Sequence, residues 1–293
     1  MKAKKWIISY YLIAFLDILG QKDKILSITH PPSTVEEQNK AVDVLRDTAN
    51  YVVGLRKGFL DYFNTHNRPT GILDVLAPEQ RAEAEQLRRC HAEVRGVSDS
   101  IIITVPLSYG TDYCTPLNGI HAALYGICGI FLAALACHKP FRGGVDIGWG
   151  VRLPRARKEV YGSALVKAYS LENDIAQYPR VVVGDSLLPY IRSIETIKTD
   201  NMNIKRAKQV ASQCKEFITT DYDRLNILDV IGEGAQSIRG GIDSELVEKG
   251  YKYVVETHKR LAIAGDTTLG SRYGSLRSYL ESRLHLWNIQ PCT

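Results

Sequence analysis

The amino-acid sequence predicts an α+β protein whose first half follows the element order βαββαβ. Strand-like segments lie at residues 10–16, on both sides of a polar turn at 98–100, and at 141–151. Patterns of helical periodicity fill the two long gaps between them, at 35–63 and 117–137. This order is typical of a ferredoxin-like layer, in which an antiparallel sheet carries helices on one face.

Each predicted strand has its own local signal. Residues 10–16 form a continuous apolar and aromatic run of strand length, which Asp17 and Gly20 end. Two β-prone runs flank Ser98-Asp99-Ser100, a tight polar turn that predicts a hairpin. The run FRGGVDIGWGV at 141–151 alternates and carries glycines that allow close backbone approach, which suits a central strand.

The second half of the chain predicts shorter strands and more helices. We expect strands at 157–160, 180–183 and 225–231, and helices at 162–173, 204–217, 243–264 and 271–286. The expected organisation is one domain over residues 1–235, with an insertion at about 64–90, and a helical appendage over 236–293. This appendage is expected to pack on the domain or to support a dimer.

The composition is that of a globular protein with a substantial core. Of 293 residues, 45% are hydrophobic and 24% charged, and the formal net charge is +5. The basic residues are scattered instead of forming a stripe, so charge argues only weakly for nucleic-acid binding and suits a triphosphate substrate equally well. The apolar run at 6–19 resembles a signal peptide, but Asp17 interrupts it. The run at 119–137 approaches membrane-spanning length, yet a buried helix is favoured.

The six cysteines form no C-x-x-C pair, and a disulfide framework is not expected in a chain of this length. Reduced thiols in a cytoplasm are the favoured interpretation, so we expect a cytoplasmic protein without a membrane partner.

Two aspartates at strand ends carry the functional prediction. Asp17 closes the first strand, and Asp99 lies in the hairpin turn. In a βαββαβ sheet the first strand lies beside the second hairpin strand, so the two carboxylates are expected to converge. Carboxylate oxygens are ligands that Mg²⁺ and Mn²⁺ prefer, with the remaining ligands taken from water and substrate phosphates. The alternatives are a helix N-cap for Asp17 and an Asx-turn for Asp99.

Gly20 lets the chain turn sharply into a helix start, where backbone N–H groups can hold phosphate. We therefore expect the turn Leu19, Gly20 and Gln21 to bind the substrate.

Four segments resemble class III nucleotidyl cyclases, in the order of that family. FLDILG resembles the first metal motif, F-x-D-I-x-G-F, and VRGVSDSI resembles the second. RGGVDIGWG is similar to the R-x-G-I-x-x-G strand, and VYGSALVKAYSLE to the Y-G-x-x-V-N-x-A-x-R-L-E segment. The resemblance covers roughly residues 10–175 and implies the class III cyclase fold.

The resemblance also implies roles for single residues. Asp17 and Asp99 match the aspartates that hold two Mg²⁺ or Mn²⁺ ions and serve as catalytic residues, and the Ile18 carbonyl would complete a metal site. Arg95 and Glu159 match the basic and acidic residues that contact the base, for which surface salt bridges are the alternative. An arginine and a glutamate can donate to one edge of a base and accept from another.

The chain departs from the family pattern at several positions. Val166 and Ser170 stand where the family has the asparagine and arginine that hold the ribose and steady the transition state. Gln21 replaces the usual aromatic residue, and Ser98 replaces a glycine. Candidates for a replacement phosphate-neutralising cation are Lys167, Arg142, Arg152, Arg155 and Arg157.

With both aspartates retained, the pattern G-x-A-L-V-x-A-Y-x-L-E looks like the bacterial pyrimidine cyclases of Pycsar anti-phage systems. That resemblance implies conversion of UTP or CTP to a 3′,5′-cyclic nucleotide and pyrophosphate, with a separate effector that senses the product. It also implies a homodimer whose two active sites lie at the subunit interface. The alternatives are an adenylate or guanylate cyclase, a catalytically silent nucleotide-binding protein, and a ferredoxin-like nucleic-acid binder or palm-type polymerase.

Overall fold

The computed structural model describes residues 7–65, 77–79, 81–82, 85, 89–107, 114–152, 160–198, 201–238 and 241–292. Eight strands form one mixed sheet. They are β1 (Ile7–Ile18), β2 (Glu93–Val97), β3 (Ser100–Pro106), β4 (Phe141–Arg152), β5 (Val160–Tyr161), β6 (Val181–Val183), β7 (Ile218–Thr220) and β8 (Asn226–Leu228).

Nine α-helices with defined bounds accompany the sheet within the described ranges. They are α1 (Gln21–Leu26), α2 (Val35–Thr65), α3 (Cys114–Ala136), α4 (Ser163–Ser170), α5 (Leu187–Glu195), α6 (Met202–Lys215), α7 (Glu233–Gln236), α8 (Ser244–Ile263) and α9 (Thr267–Glu281). A π-helical turn, Leu171–Ile175, continues α4, and a 3₁₀ turn, Leu284–Trp287, follows α9.

The strand order is β2-β3-β1-β4-β6-β8-β7, and β5 pairs with the far end of β4. The first four strands pair antiparallel throughout, and the elements from β1 to β4 follow the predicted order βαββαβ. The predicted antiparallel core is thus present, but the whole sheet is mixed, because β4 and β6 run parallel. This parallel pair arises because β6 follows a helical crossover after β4 instead of a hairpin.

The two faces of the sheet are covered to different extents. Alternate β1 residues from Leu12 to Ile18 pack with α2 and α3 in the main core. The other face of β1, with Tyr11 and Ile13, packs with residues of β5 and α4 in a much smaller cluster. Among the described residues, this face of the sheet is therefore less covered than the other.

Helix α3 is the centre of the core. Its segment Thr115–Ala136 is long and apolar enough to cross a membrane, with a mean hydropathy of 1.9, but 89% of that window is buried inside the protein. It packs against α2, α6 and α8. The structure therefore confirms the prediction of a buried core helix.

The C-terminal helices share this core. Val254, Leu280 and Trp287 belong to the same buried cluster as the α3 residues, and Gly250 of α8 lies against Leu135 of α3. The described residues between 241 and 292 thus pack on the sheet domain. The expected insertion at 64–90 lies largely outside the described residues.

The observed elements follow the predicted ones closely in the first half. The hairpin turns at Ser98 and Asp99, and Ser98 has a positive φ of 56°, a conformation that glycine adopts more readily than residues with a side chain. Helix α5 and strand β7 were not predicted from the sequence. Their patterns are short, and only their packing distinguishes them from loops.

Candidate functional site

Asp17 and the hairpin turn meet at one edge of the sheet. In the antiparallel β1–β3 pair, Asp17 lies opposite Ser100, the residue that follows Asp99. The Ser100 hydroxyl donates a hydrogen bond of 2.9 Å to Asp17 Oδ1, and the Ile18 N–H donates to the Asp99 carbonyl oxygen at 3.3 Å. The topology thus brings together the two aspartates singled out in the sequence.

The Asp17 carboxyl group lies in a half-buried position where its charge is unfavourable. Burial raises the pKa of Asp17 above its ordinary value, the Ser100 hydrogen bond opposes this increase, and the nearby Asp99 carboxylate adds to it. Arg142, on the neighbouring strand β4, lowers the pKa of Asp17 by its positive charge. Two carboxylates that repel each other at an open edge form a place where a cation is favoured.

A partly buried ion pair lies beside this edge. Arg142 of β4 is the register partner of Asp17, but its Nε donates to Glu172 Oε1 at 2.7 Å. Glu172 is only 3% exposed. Burial raises the pKa of Glu172, and Arg142 opposes that increase. Of the three candidate replacement cations that the structure describes, Arg142 lies at the Asp17 edge.

A glycine positions Glu172. A Cβ atom at Gly144 would lie 2.4 Å from the Ala168 carbonyl oxygen and 2.4 Å from Leu171 Cβ, so only glycine lets α4 approach β4 this closely. Directly after this contact, α4 continues as the π-helical turn that carries Glu172. Turns of this type are frequent at functional sites.

The open face of the sheet contains a groove of about 210 Å³. Arg95 of β2 lines it, together with Ile13, Ile102, Thr104, Val97, Val160, Tyr161 and Leu165. Arg95 lies on the same side of β2 as Val97, whose register partner Ser100 contacts Asp17. The groove is therefore on the same sheet face as the carboxylates.

Gly20 forms the turn after β1, with a positive φ of 76°, and Leu19 N–H donates to the Pro140 carbonyl oxygen at 2.9 Å. The Gln21 side chain is buried and its Oε1 accepts a hydrogen bond of 2.9 Å from Thr48 of α2. This contact fixes α1 against α2, so the backbone is the part of the Leu19–Gln21 turn that remains for a ligand.

Lys167 does not join the carboxylate edge. Its Nζ lies 2.6 Å from Ser186 Oγ and 3.8 Å from Asp146 Oδ2. Asp146 lies four residues along β4 from Arg142, a separation of about 13 Å in an extended strand. Within one subunit, Asp146 and Ser186 therefore hold the ammonium group of Lys167, and a role of Lys167 in binding the substrate phosphates stays a prediction.

The remaining candidates are placed elsewhere or lie outside the described residues. Arg152 forms an ion pair with Glu93 of β2. Glu159, Arg155 and Arg157 lie outside the described residues.

The described side chains fit a cation site that is completed by the substrate. They contain no group of three or more His, Cys, Asp or Glu residues that could hold a metal ion alone. Two carboxylates fit an ion such as Mg²⁺, which keeps several waters and takes further oxygens from substrate phosphates. In the described part of the chain no basic side chain forms an ion pair with Asp17, so its carboxylate is available.

Sequence reasoning missed three features of the site. The Ser100 hydroxyl bond and the Arg142–Glu172 pair depend on register between distant segments, which no local pattern encodes. Asp146 was also missed, although an acidic residue inside the glycine-rich run at 141–151 is an available signal of a buried polar contact.

Fold and site together define an α+β protein with an eight-stranded mixed sheet, C-terminal helices and two carboxylates at one sheet edge. No protein-family model matches the chain, and no curated protein matches it.

Among solved structures, the chain is similar to two that are each described as a bacterial light-regulated adenylyl cyclase. One match has a TM-score of 0.37 and 12% identity and covers 83% of this chain and 99% of that one. The other has a TM-score of 0.33 and 13% identity and covers 69% of this chain, but it spans only 46% of that cyclase. Because both TM-scores are this low, the functional argument depends on the strand order and the register and not on these two similarities.

Proposed function

We propose that this chain is a nucleotidyl cyclase of the class III type, which converts a nucleoside triphosphate to a 3′,5′-cyclic nucleotide and pyrophosphate. The observation that carries the proposal is the convergence of Asp17 and Asp99, fixed by the β1–β3 register and the Ser100 hydrogen bond. The order β2-β3-β1-β4 supports it, since it is the order of the ferredoxin-like core that the sequence resemblance implies.

Asp17, Asp99 and the Ile18 carbonyl would hold two Mg²⁺ or Mn²⁺ ions. Ions bound there would lower the pKa of the ribose hydroxyl and neutralise charge on the leaving pyrophosphate. The chain's own residues position the substrate: the Leu19–Gln21 turn and Arg142 approach the triphosphate, and Arg95 lines the groove for the base. The ribose 3′-oxygen then attacks the α-phosphorus as the bond to the β-phosphate breaks.

The partly uncovered sheet face supports a homodimer. Four large apolar or aromatic side chains on or beside the groove are between 48% and 63% exposed: Val97, Tyr161, Val166 and Tyr169. A cluster of exposed apolar side chains is typical of a surface that a partner covers. In the proposed dimer, Asp17 and Asp99 of one subunit meet Glu159 and α4 of the other. Two such sites would form per symmetric dimer.

The preferred substrate is UTP or CTP, the product activates a separate effector, and the protein acts in anti-phage defence in the cytoplasm. This part of the proposal depends on the motif resemblance alone. The alternative base specificities are those of an adenylate or guanylate cyclase.

The second candidate function is a nucleotide sensor without turnover. Val166 and Ser170 favour it, because Val166 has no polar atom to hold a ribose and Ser170 has no charge to neutralise a phosphate. Purified protein incubated with each of the four nucleoside triphosphates and Mn²⁺, followed by mass analysis of the products, separates the two. We expect a cyclic pyrimidine nucleotide and pyrophosphate in equal amounts. Binding of a triphosphate without any cyclic product would establish the sensor.

A further inference from the structure

Arg142 lies between two carboxylates and bonds to only one of them. It is the register partner of Asp17 on the neighbouring strand, yet its Nε donates to Glu172 at 2.7 Å. Among the described residues, no basic side chain forms an ion pair with Asp17. The half-buried Asp17 carboxylate therefore has no ion-pair partner among the described residues. Arg142 lies opposite it on the neighbouring strand but bonds to Glu172.

The burial of Glu172 needs an explanation. A carboxyl group that is 3% exposed loses most of its hydration, which is unfavourable unless a partner compensates. Gly144 and the π-helical turn bring this side chain to Arg142. An apolar residue at position 172 would pack on the strand without losing the hydration of a carboxyl group. Packing alone therefore does not explain the acidic residue.

We propose that Glu172 is a positioning residue that holds Arg142 away from Asp17 and thereby keeps the Asp17 carboxylate free for a divalent cation. The inference rests on the proposed cation site. Without Glu172, we expect the guanidinium group to turn to Asp17, its register partner on β1, because an arginine and a carboxylate form a strong charge-assisted pair. The new ion pair then competes with the cation.

Two simpler roles of Glu172 make different predictions. If Glu172 only ties the π-helical turn to β4, its loss lowers the unfolding temperature without a specific effect on cation affinity. If Glu172 only attracts cations by its negative charge, its loss weakens cation binding whether or not Arg142 is present. Only the positioning role makes the loss depend on Arg142.

The test is the dissociation constant of Mn²⁺, measured by electron paramagnetic resonance on the wild type, Glu172→Ala, Arg142→Ala and the double variant. We expect Glu172→Ala to bind Mn²⁺ about tenfold more weakly, the size of a lost charge-assisted contact. The double variant is expected to recover wild-type affinity, because no guanidinium remains to occupy Asp17. Equal weakening in the single and double variants overturns the proposal.

Glu172→Gln supplies the conservative rescue. Its amide oxygen still accepts from Arg142 Nε, so we expect Mn²⁺ affinity within about twofold of the wild type. If Glu172→Gln binds as weakly as Glu172→Ala, charge and not position is responsible, and the proposal is wrong. Thermal unfolding of each variant identifies those that do not fold.

A metal-free measurement separates this inference from the proposed function. Wild-type protein that binds no Mn²⁺ would refute the cation site, but the nuclear magnetic resonance signal of the Arg142 Nε–H group still reports on the side chain's partner. We expect this signal to shift in Glu172→Ala and to shift again when Asp17→Asn is added. Absence of the second shift shows that Arg142 does not turn to Asp17.

Discussion

Asp17 Oδ1 accepts a hydrogen bond of 2.9 Å from the Ser100 hydroxyl across the antiparallel strands β1 and β3. The bond joins residues 83 positions apart in the sequence. It orients one carboxylate oxygen toward the hairpin and leaves the other for a ligand. Its removal is therefore a direct way to change the site without removing an acidic residue.

Ser100→Ala is expected to lower turnover roughly tenfold and the free energy of unfolding by about 1 kcal/mol. The hydroxyl favours ionised Asp17, so without it the pKa of Asp17 rises further. The acidic limb of the pH–rate profile should then move to higher pH. Ser100→Thr keeps the hydroxyl and serves as the control. An unchanged acidic limb in Ser100→Ala would show that Asp17 ionisation does not limit the rate.

Asp17→Asn is expected to stabilise the metal-free protein at neutral pH. Because folding raises the pKa of Asp17, the folded protein retains, at a pH between the two pKa values, a proton that the unfolded chain has released, and ionised Asp17 destabilises the fold at higher pH. The stability from this group is complete below the ordinary aspartate pKa and is lost as the pH rises through the folded value. The thermal unfolding temperature of Asp17→Asn in EDTA should therefore exceed that of the wild type at pH 7, with the difference vanishing in acid.

Added Mn²⁺ should reverse that order, since a ligand stabilises the form that binds it. Asp47→Asn, a change at an exposed position of α2, is the control and should alter neither measurement. An equal Mn²⁺ effect on wild type and Asp17→Asn would place the cation elsewhere.

Gly20→Ala is expected to cost about 1 kcal/mol of stability and most of the activity. Its φ of 76° disfavours any side chain, although a Cβ there would meet no atom within 4 Å. Gly265 offers a matched control, with a φ of 73° and equally open space. Gly265→Ala should cause a similar loss in chemical denaturation and leave turnover unchanged. Equal activities of the two variants would exclude the Gly20 turn from substrate binding.

Arg95→Met is expected to alter which nucleoside triphosphate is used more than it lowers the maximal rate. Arg95 lines the groove on the open sheet face, where a base can be contacted by hydrogen bonds. The measurement is kcat/KM for all four triphosphates, with Arg46→Met on the exposed part of α2 as the control. A uniform decrease for all substrates would remove Arg95 from base recognition.

Val166→Asp is expected to dissociate the proposed dimer and abolish turnover, because a charge at this 63%-exposed position would be buried on association. Light scattering gives the mass, and mass analysis gives the product. A mixture of the Val166→Asp and Asp17→Asn proteins should show no turnover, because Val166→Asp does not form the dimer. A monomeric wild type with full activity would contradict the interface account.

The sequence was sufficient to predict the elements that carry long, uninterrupted patterns. The apolar run of β1, the polar turn at Asp99 and the glycine-rich β4 together predicted the sheet order, and this order alone brings Asp17 to the hairpin. Helix α5 and the parallel β4–β6 pair were not predicted, since short segments acquire their structure from packing.

The finer geometry of the site could not be predicted in the same way. Lys167 and Arg142 were both candidate phosphate-neutralising cations in the sequence, and only the fold shows their positions, with Lys167 at Asp146 and Arg142 beside Asp17. The partner of Arg142 depends on a π-helical turn, and the spacing of side chains around Glu172 gives no sign of that turn.

A crystal structure with Mn²⁺ and a non-cyclising triphosphate analogue tests the central claim most directly, because anomalous scattering locates manganese without assumptions about the ligands. The account predicts manganese within roughly 2.0–2.6 Å of carboxylate oxygens of both Asp17 and Asp99, with the phosphates completing its ligands. Manganese bound away from these two residues, with both carboxylates left in water, would contradict it.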